Sequence, residues 1–179
     1  MCDYALDLLH NAFEAGAGEV WLDMEEDAER LHIAVRDNGP GMSETERVLA
    51  TDPFYTDRRK HAGRKVGLGL PFLVQGVEQA GGSWSLRSEV GGGTVVEFSF
   101  PTAGIDCPPL GDLPSLLLAA LSYPGPHELH VRRIWKGSKK REPGGYEMSR
   151  REIGEALGGF DRASALDALR EYLTSQEVG

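Results

Sequence analysis

The stretch Leu31-His-Ile-Ala-Val35-Arg-Asp37-Asn-Gly-Pro-Gly41-Met42 decides how this chain is read. Leu31 to Val35 alternates apolar and polar residues, the pattern of a strand with one face buried, and it runs directly into an acidic turn with two glycines. Such a strand sets a carboxylate at a sheet end, where glycine lets the backbone approach a flat ligand closely. Asp37 can there accept a hydrogen bond from an exocyclic amine. Taken alone, the same residues also suit an ordinary polar turn built on Asn-Gly.

Upstream, Val20 to Met24 alternates in the same way, and the acidic stretch Glu25 to Glu29 reads as the hairpin turn between the two strands. Before them, residues from Tyr4 to Glu14 recur with helical period, with Leu6, Leu9 and Phe13 on one stripe and Ala15-Gly16-Ala17 as the terminator. Asp7 and Asn11 stand four residues apart, one turn from each other on one face, and Glu14 continues that edge. A carboxylate beside an amide can hold a hydrated magnesium ion and orient an attacking nucleophile. A solvated helix face is the plain alternative.

Downstream, Ser43-Glu-Thr-Glu46 has the form of a capping box opening a short helix. Residues 51 to 66 form a long polar, basic loop, and such loops inside a domain are usually functional or mobile. They include Arg58, Arg59, Lys60, Arg64 and Lys65. Gly67-Leu68-Gly69-Leu70 then opens a helix running to Ala80. Its free N–H groups and dipole favour phosphate, although a glycine required by helix packing would look the same. Trp84 to Arg87 and Val95 to Phe100 are predicted strands joined by the turn Val90 to Gly93, with Val96, Phe98 and Phe100 on one face. Thr94, at that bend, offers a hydroxyl to the floor of the site. Helix, two strands, loop, helix, two strands predicts an α+β fold: an antiparallel-rich sheet covered on one face by helices in two layers.

Pro101 to Pro109 reads as a linker, which divides the chain into residues 1–103 and an αβ extension over 104–179. The extension carries a predicted helix at Leu113 to Leu121, a strand at Glu128 to Trp135, a capping box at Ser149 and Glu152, and a last helix from Asp161 to about Ser175. About seventy residues is little for a second core, so this part is expected to dock on the first.

The chain has 179 residues, 40% hydrophobic and 26% charged, as in a soluble globular protein. Its net charge of -9 argues against general nucleic-acid binding. The one feature in favour is a basic hairpin containing Arg132, Arg133 and Lys139 to Arg141. Cys2 and Cys107 read as ordinary thiols of a reducing compartment. There is neither a charged-then-apolar leader nor an apolar run near the roughly 18 residues of a membrane span, so the expectation is a cytoplasmic protein. No Gly-x-x-x-x-Gly-Lys-Ser/Thr motif is present, which excludes a P-loop enzyme.

In order and spacing, these segments resemble the ATP-binding domain shared by sensor histidine kinases, gyrase B, the Hsp-ninety chaperones and MutL, the GHKL superfamily. Asp7-Leu-Leu-His-Asn11-Ala-Phe-Glu-Ala-Gly-Ala17 resembles its N box, Asp37 to Gly41 its first glycine box, and Asp52-Pro-Phe54-Tyr-Thr the kinase F box. Lys65-Val-Gly67-Leu68-Gly69-Leu70 resembles the second glycine box and Gly91 to Phe100 the last. The resemblance implies a Bergerat-type two-layer α/β sandwich that binds ATP with Mg2+. It implies that Asn11 binds magnesium, that Asp37 contacts the adenine amine, and that Gly39, Gly41, Met42, Gly67, Leu68, Gly69 and Leu70 line the nucleotide. Residues 43–66 would form the ATP lid, and Thr94 would join the adenine-side network.

Two positions depart from the pattern. Hydrolytic members place glutamate where Asp7 stands, one methylene longer, so Asp7 is only a candidate general base. The kinase-type box usually begins with glycine where Lys65 stands, and that lysine could reach the phosphates instead. The whole chain is similar to small ATP-binding proteins that accompany iron-only hydrogenases, which implies a protein partner. Three uses of ATP remain open: a switch in which nucleotide orders the lid, a protein kinase acting on a partner, and a scaffold that binds nucleotide without turnover.

Overall fold

The computed structural model of the chain describes residues 1–52, 69–102, 109–137 and 142–177. Helix α1 (Cys2–Glu14) is followed by strands β1 (Glu19–Glu26) and β2 (Arg30–Asp37), then α2 (Glu44–Ala50) and α3 (Gly69–Gln79). Strands β3 (Ser83–Glu89) and β4 (Gly93–Pro101) come next, then α4 (Leu113–Leu121), β5 (Glu128–Trp135), β6 (Gly144–Ser149), α5 (Arg150–Leu157) and α6 (Ala163–Glu177). Both capping boxes form: Ser43 and Glu46 start α2, and Ser149 and Glu152 start α5. The last helix begins at Ala163, two residues after Asp161.

All six strands join one sheet in the order β3-β4-β2-β1-β5-β6. Every neighbouring pair is antiparallel except β1 with β5, which is parallel. A parallel pair cannot be closed by a hairpin, and the chain reaches β5 from β4 through α4. The strand pattern of residues 128–135 is thus as expected, and its place is inside the sheet, between β1 and β6. Residues on both sides of position 104 contribute to one sheet and one hydrophobic core.

The alternation seen in the sequence becomes a continuous apolar face. Across the strands, Val96, Val35, Leu22, Val131 and Met148 lie in register, and Phe98, Ile33 and Met24 form the next row. Helices α1, α3 and α4 supply Leu9, Leu73 and Leu117 to the same core, each almost fully buried. Burying side chains of this size contributes about 1.5–3 kcal/mol each, the main favourable term in the fold. Between α1 and the start of β5, Phe13 stacks on His127 with ring centroids 4.0 Å apart.

The sheet's other face carries polar and charged side chains at intermediate exposure. Arg36 lies over the Trp21 ring at 4.5 Å, His130 meets Glu19 at 2.7 Å, and Arg132 bridges Asp23 at 2.9 Å and Glu25 at 2.5 Å. Arg132 and Arg133, grouped as one basic hairpin in the sequence, therefore point to opposite faces. Arg133 is 1% exposed. It shares the inward parity of Leu129 and Val131, and its guanidinium is paired with Glu26 and lies 4.0 Å from Glu177. Lys139 to Arg141 lie outside the described residues.

Candidate functional site

The strand phase that buries Ile33 and Val35 carries Asp37 onto the same helix-facing side, where it completes a row with Thr94 and Val20. A carboxylate thus occupies a position that the pattern gives to an apolar residue. Burial raises its pKa above the usual carboxylate value, and hydrogen bonds from the backbone N–H groups of Gly39 and Thr94 lower it only in part. The Gly39 N–H donates to Asp37 Oδ1 at 2.8 Å. Among the described residues no cation pairs with Asp37.

The turn that follows is fixed from two sides. Asn38 Oδ1 accepts from the N–H groups of Gly18 and Glu19, both at 2.9 Å, which ties the turn to the start of β1. The Gly91 N–H donates to Pro40 O at 2.7 Å, and the Met42 N–H to Ser88 Oγ at 2.8 Å, which ties it to the β3–β4 hairpin. Gly41 has φ +65°, and a Cβ there would stand 1.8 Å from Glu89 O. Only glycine fits this crossing of two backbones. No local signal marks Asn38 and Ser88 as part of this arrangement, because polar residues in or beside turns are commonplace.

Helix α1 forms the opposite wall. Asp7 is half-buried and Asn11 exposed, and Asn11 Nδ2 donates to Asp7 Oδ2 at 3.3 Å, as their one-turn spacing requires. Gly69, the first residue of α3, sits against this pair: a Cβ on it would lie 1.5 Å from Asp7 Oδ2. Both sequence readings of that glycine thus have substance, since it permits close packing and also opens a helix. Leu70 turns into the core. At the far end of α1, Ala17 Cβ lies 3.5 Å from where a Gly39 Cβ would stand. The structure therefore brings Asp37, Gly39, Gly41, Met42 and Thr94 together at one end of α1, and Asp7, Asn11 and Gly69 along its side. Lys65, Gly67 and Leu68 lie outside the described residues, as does most of the basic loop.

The residues present fit a magnesium nucleotide. Asn11 and Asp7 offer oxygen donors, which a hard cation prefers. Asp37 offers an acceptor in a low-dielectric position. The glycine turn leaves backbone, not side chain, facing the space between.

Comparison with known proteins shows the family and the fold. Residues 4–104 match the family described as histidine kinase-, DNA gyrase B- and HSP90-like ATPase. The chain is 36% identical over 92 residues to the signal transduction histidine-protein kinase/phosphatase MprB of Mycobacterium ulcerans, covering 50% of this chain and 18% of that protein. It is 37% identical over 110 residues to the cell-division control histidine kinase PdhS of Brucella abortus, covering 54% of this chain and 11% of that one. The chain thus spans less than a fifth of the length of these relatives. Among solved structures, the N-terminal domain of a DNA repair protein aligns over 93% of this chain and 58% of its own, with TM-score 0.56 and 14% identity. That likeness is one of fold, and it extends well beyond the family-matched residues. No helix among the described residues is long and apolar enough to cross a membrane. The chain belongs to the histidine kinase-, DNA gyrase B- and HSP90-like ATPase family.

Proposed function

We propose that the chain binds Mg-ATP between α1, the start of α3 and the Asp37 turn, and that nucleotide controls its contact with a protein partner. The observation that carries this reading is Asp37: a carboxylate on the core-facing side of the sheet, raised in pKa by burial, held by backbone N–H groups and without a counter-cation among the described residues. A half-buried carboxylate held only by backbone N–H groups keeps lone pairs free for a ligand donor.

In this reading Asp37 accepts from the adenine amine, and Gly39, Gly41 and Met42 line the base. Asn11 holds Mg2+, whose charge offsets that of the phosphates. Gly67, Leu68, Gly69 and Leu70 form the phosphate end, with Lys65 reaching it from the lid over residues 43–66. Asp7 is the candidate base for a slow hydrolysis that resets the switch. Its carboxylate is turned onto Gly69 and bonded by Asn11, so it must move to meet a water. Ordering of a lid by nucleotide is a common route from binding to signal. The partner in this reading is an unidentified cytoplasmic protein, and the resemblance drawn from the sequence supports a search among hydrogenase-related proteins.

Titration calorimetry with Mg-ATP tests the binding: saturable one-to-one heat is expected, and its absence at millimolar nucleotide overturns the proposal. A second reading, phosphoryl transfer to a partner side chain, draws on the similarity to histidine kinases. It needs mainly positioning and charge stabilisation. With labelled γ-phosphate, transfer to a partner favours the kinase and release as inorganic phosphate favours the switch. If neither appears while binding persists, a scaffold role remains.

A further inference from the structure

Ser88, near the end of β3, touches three groups that no other side chain joins among the described residues. Its Oγ lies 2.8 Å from Met42 N, 3.0 Å from Gly93 O and 3.0 Å from Thr94 Oγ1. A hydroxyl donates one proton and accepts two. The Met42 N–H can only donate to it, and the Gly93 carbonyl can only accept from it. Serine's proton is therefore committed to Gly93, and the third contact must run from the Thr94 hydroxyl to Ser88. Thr94 Oγ1 is left with lone pairs alone.

Thr94 stands directly across the β2–β4 ladder from Asp37. The pocket end therefore presents two acceptors side by side. We propose that Ser88 is a positioning residue that, by taking the Thr94 proton, makes that hydroxyl an acceptor and so favours a nucleobase edge bearing an amine over one bearing an oxo group. The same oxygen anchors Met42, the residue before the Ser43 cap of α2, so base selection and the root of the lid share one hydroxyl. The inference rests on the nucleotide-binding reading above.

The test compares dissociation constants for Mg-ATP and for inosine triphosphate, which replaces the amine by an oxygen, using the full chain. The wild type is expected to prefer ATP. Ser88→Ala releases the Thr94 proton to meet an oxo group and is expected to cut that preference by about tenfold, the size of one well-placed hydrogen bond. Ser88→Thr, which keeps the hydroxyl, is expected to preserve it. An unchanged ratio in Ser88→Ala, with both nucleotides weakened alike, overturns the proposal.

A second arm does not depend on that variant folding. Thr94→Val removes the hydroxyl at equal volume and is expected to reduce the preference too, and a ratio unmoved by Thr94→Val also overturns the proposal. Where both single variants fold, adding Ser88→Ala to Thr94→Val is expected to change the ratio no further, because both act through one contact. A wild type that binds both nucleotides equally defeats this inference alone. One that binds neither defeats the nucleotide reading itself.

Discussion

At one end of the sheet's core-facing side stands Asp37, and towards the other stands Arg133. Both ride on strands whose alternation turns them towards the core, Arg133 fully buried and Asp37 half-buried, and they are treated in opposite ways. Arg133 is paired with Glu26, lies 4.0 Å from Glu177, and has its guanidinium 5.8 Å from the Trp135 ring centroid. Asp37 has backbone N–H donors and no cation among the described residues. A buried charge neutralised by protein carboxylates serves the fold, even though the Arg133 Nε itself has no hydrogen-bond partner among the described residues. A half-buried charge whose partners are only amides still has capacity for a ligand. The difference separates structural from functional polarity on a single sheet face.

The strongest challenge to this contrast is Arg133→Ala. It removes a fully buried side chain and leaves Glu26 without its cation, and we expect a loss of about 3 kcal/mol in urea unfolding, the lower end for breaking a buried pair because Glu26 is partly solvated. Affinity for Mg-ATP in the surviving folded fraction should be unchanged. A large loss of affinity would mean that the two ends are not independent.

Next in size is Asp37→Asn. The amide oxygen still accepts from the Gly39 N–H, but the charge that draws an amine donor is gone. A weakening of Mg-ATP binding by about a hundredfold is expected by calorimetry, as for lost charge-assisted bonding. The same variant should melt higher than the wild type at pH 7, because it removes a carboxylate whose burial disfavours ionisation. Weaker binding and a higher melting temperature together are the signature of a residue kept for a ligand.

Gly69→Ala should have a smaller effect. The added methyl meets the short Asp7 side chain, which can rotate away only by giving up its bond from Asn11. We expect about 1–2 kcal/mol of destabilisation, with roughly half recovered in a Gly69→Ala/Asp7→Ala double variant, as measured by urea unfolding.

The smallest effect is that of pH. Asp37 binds its proton more tightly in the folded than in the unfolded chain. Its contribution to stability is therefore present below the ordinary carboxylate value and lost as pH rises through the raised one. Melting curves of wild type and Asp37→Asn should converge in acid and separate towards neutrality. Arg133→Ala leaves the Asp37 carboxylate in place, so it should sit below the wild type without that convergence.

Much of this arrangement was legible before any coordinates. Alternation in residues 20–24, 31–35 and 95–100 located three strands, and the two capping boxes located two helix starts, because these signals are local. Asp37 and the Asp7–Asn11 pair were legible for the same reason. What escaped was non-local. Nothing in the pattern of residues 128–135 says that they lie parallel to β1, since a strand alternates identically in either direction. The burial of Arg133 could have been inferred from its parity with Leu129 and Val131, but neighbouring Arg132 made the pair look like a basic surface. Ser88 was invisible, because its importance lies in three partners supplied by two different turns.

The parallel pairing of β1 with β5 has one further consequence. A fragment ending where the family match ends would leave β1, with its inward Val20, Leu22 and Met24, as the outer strand of a four-stranded sheet. Its outward amides and carbonyls would be open to any other chain that offers a strand. Residues 128–135 thus protect that strand as well as extending the fold, so the family-matched half of this chain is safest in solution only while the residues after it stay attached.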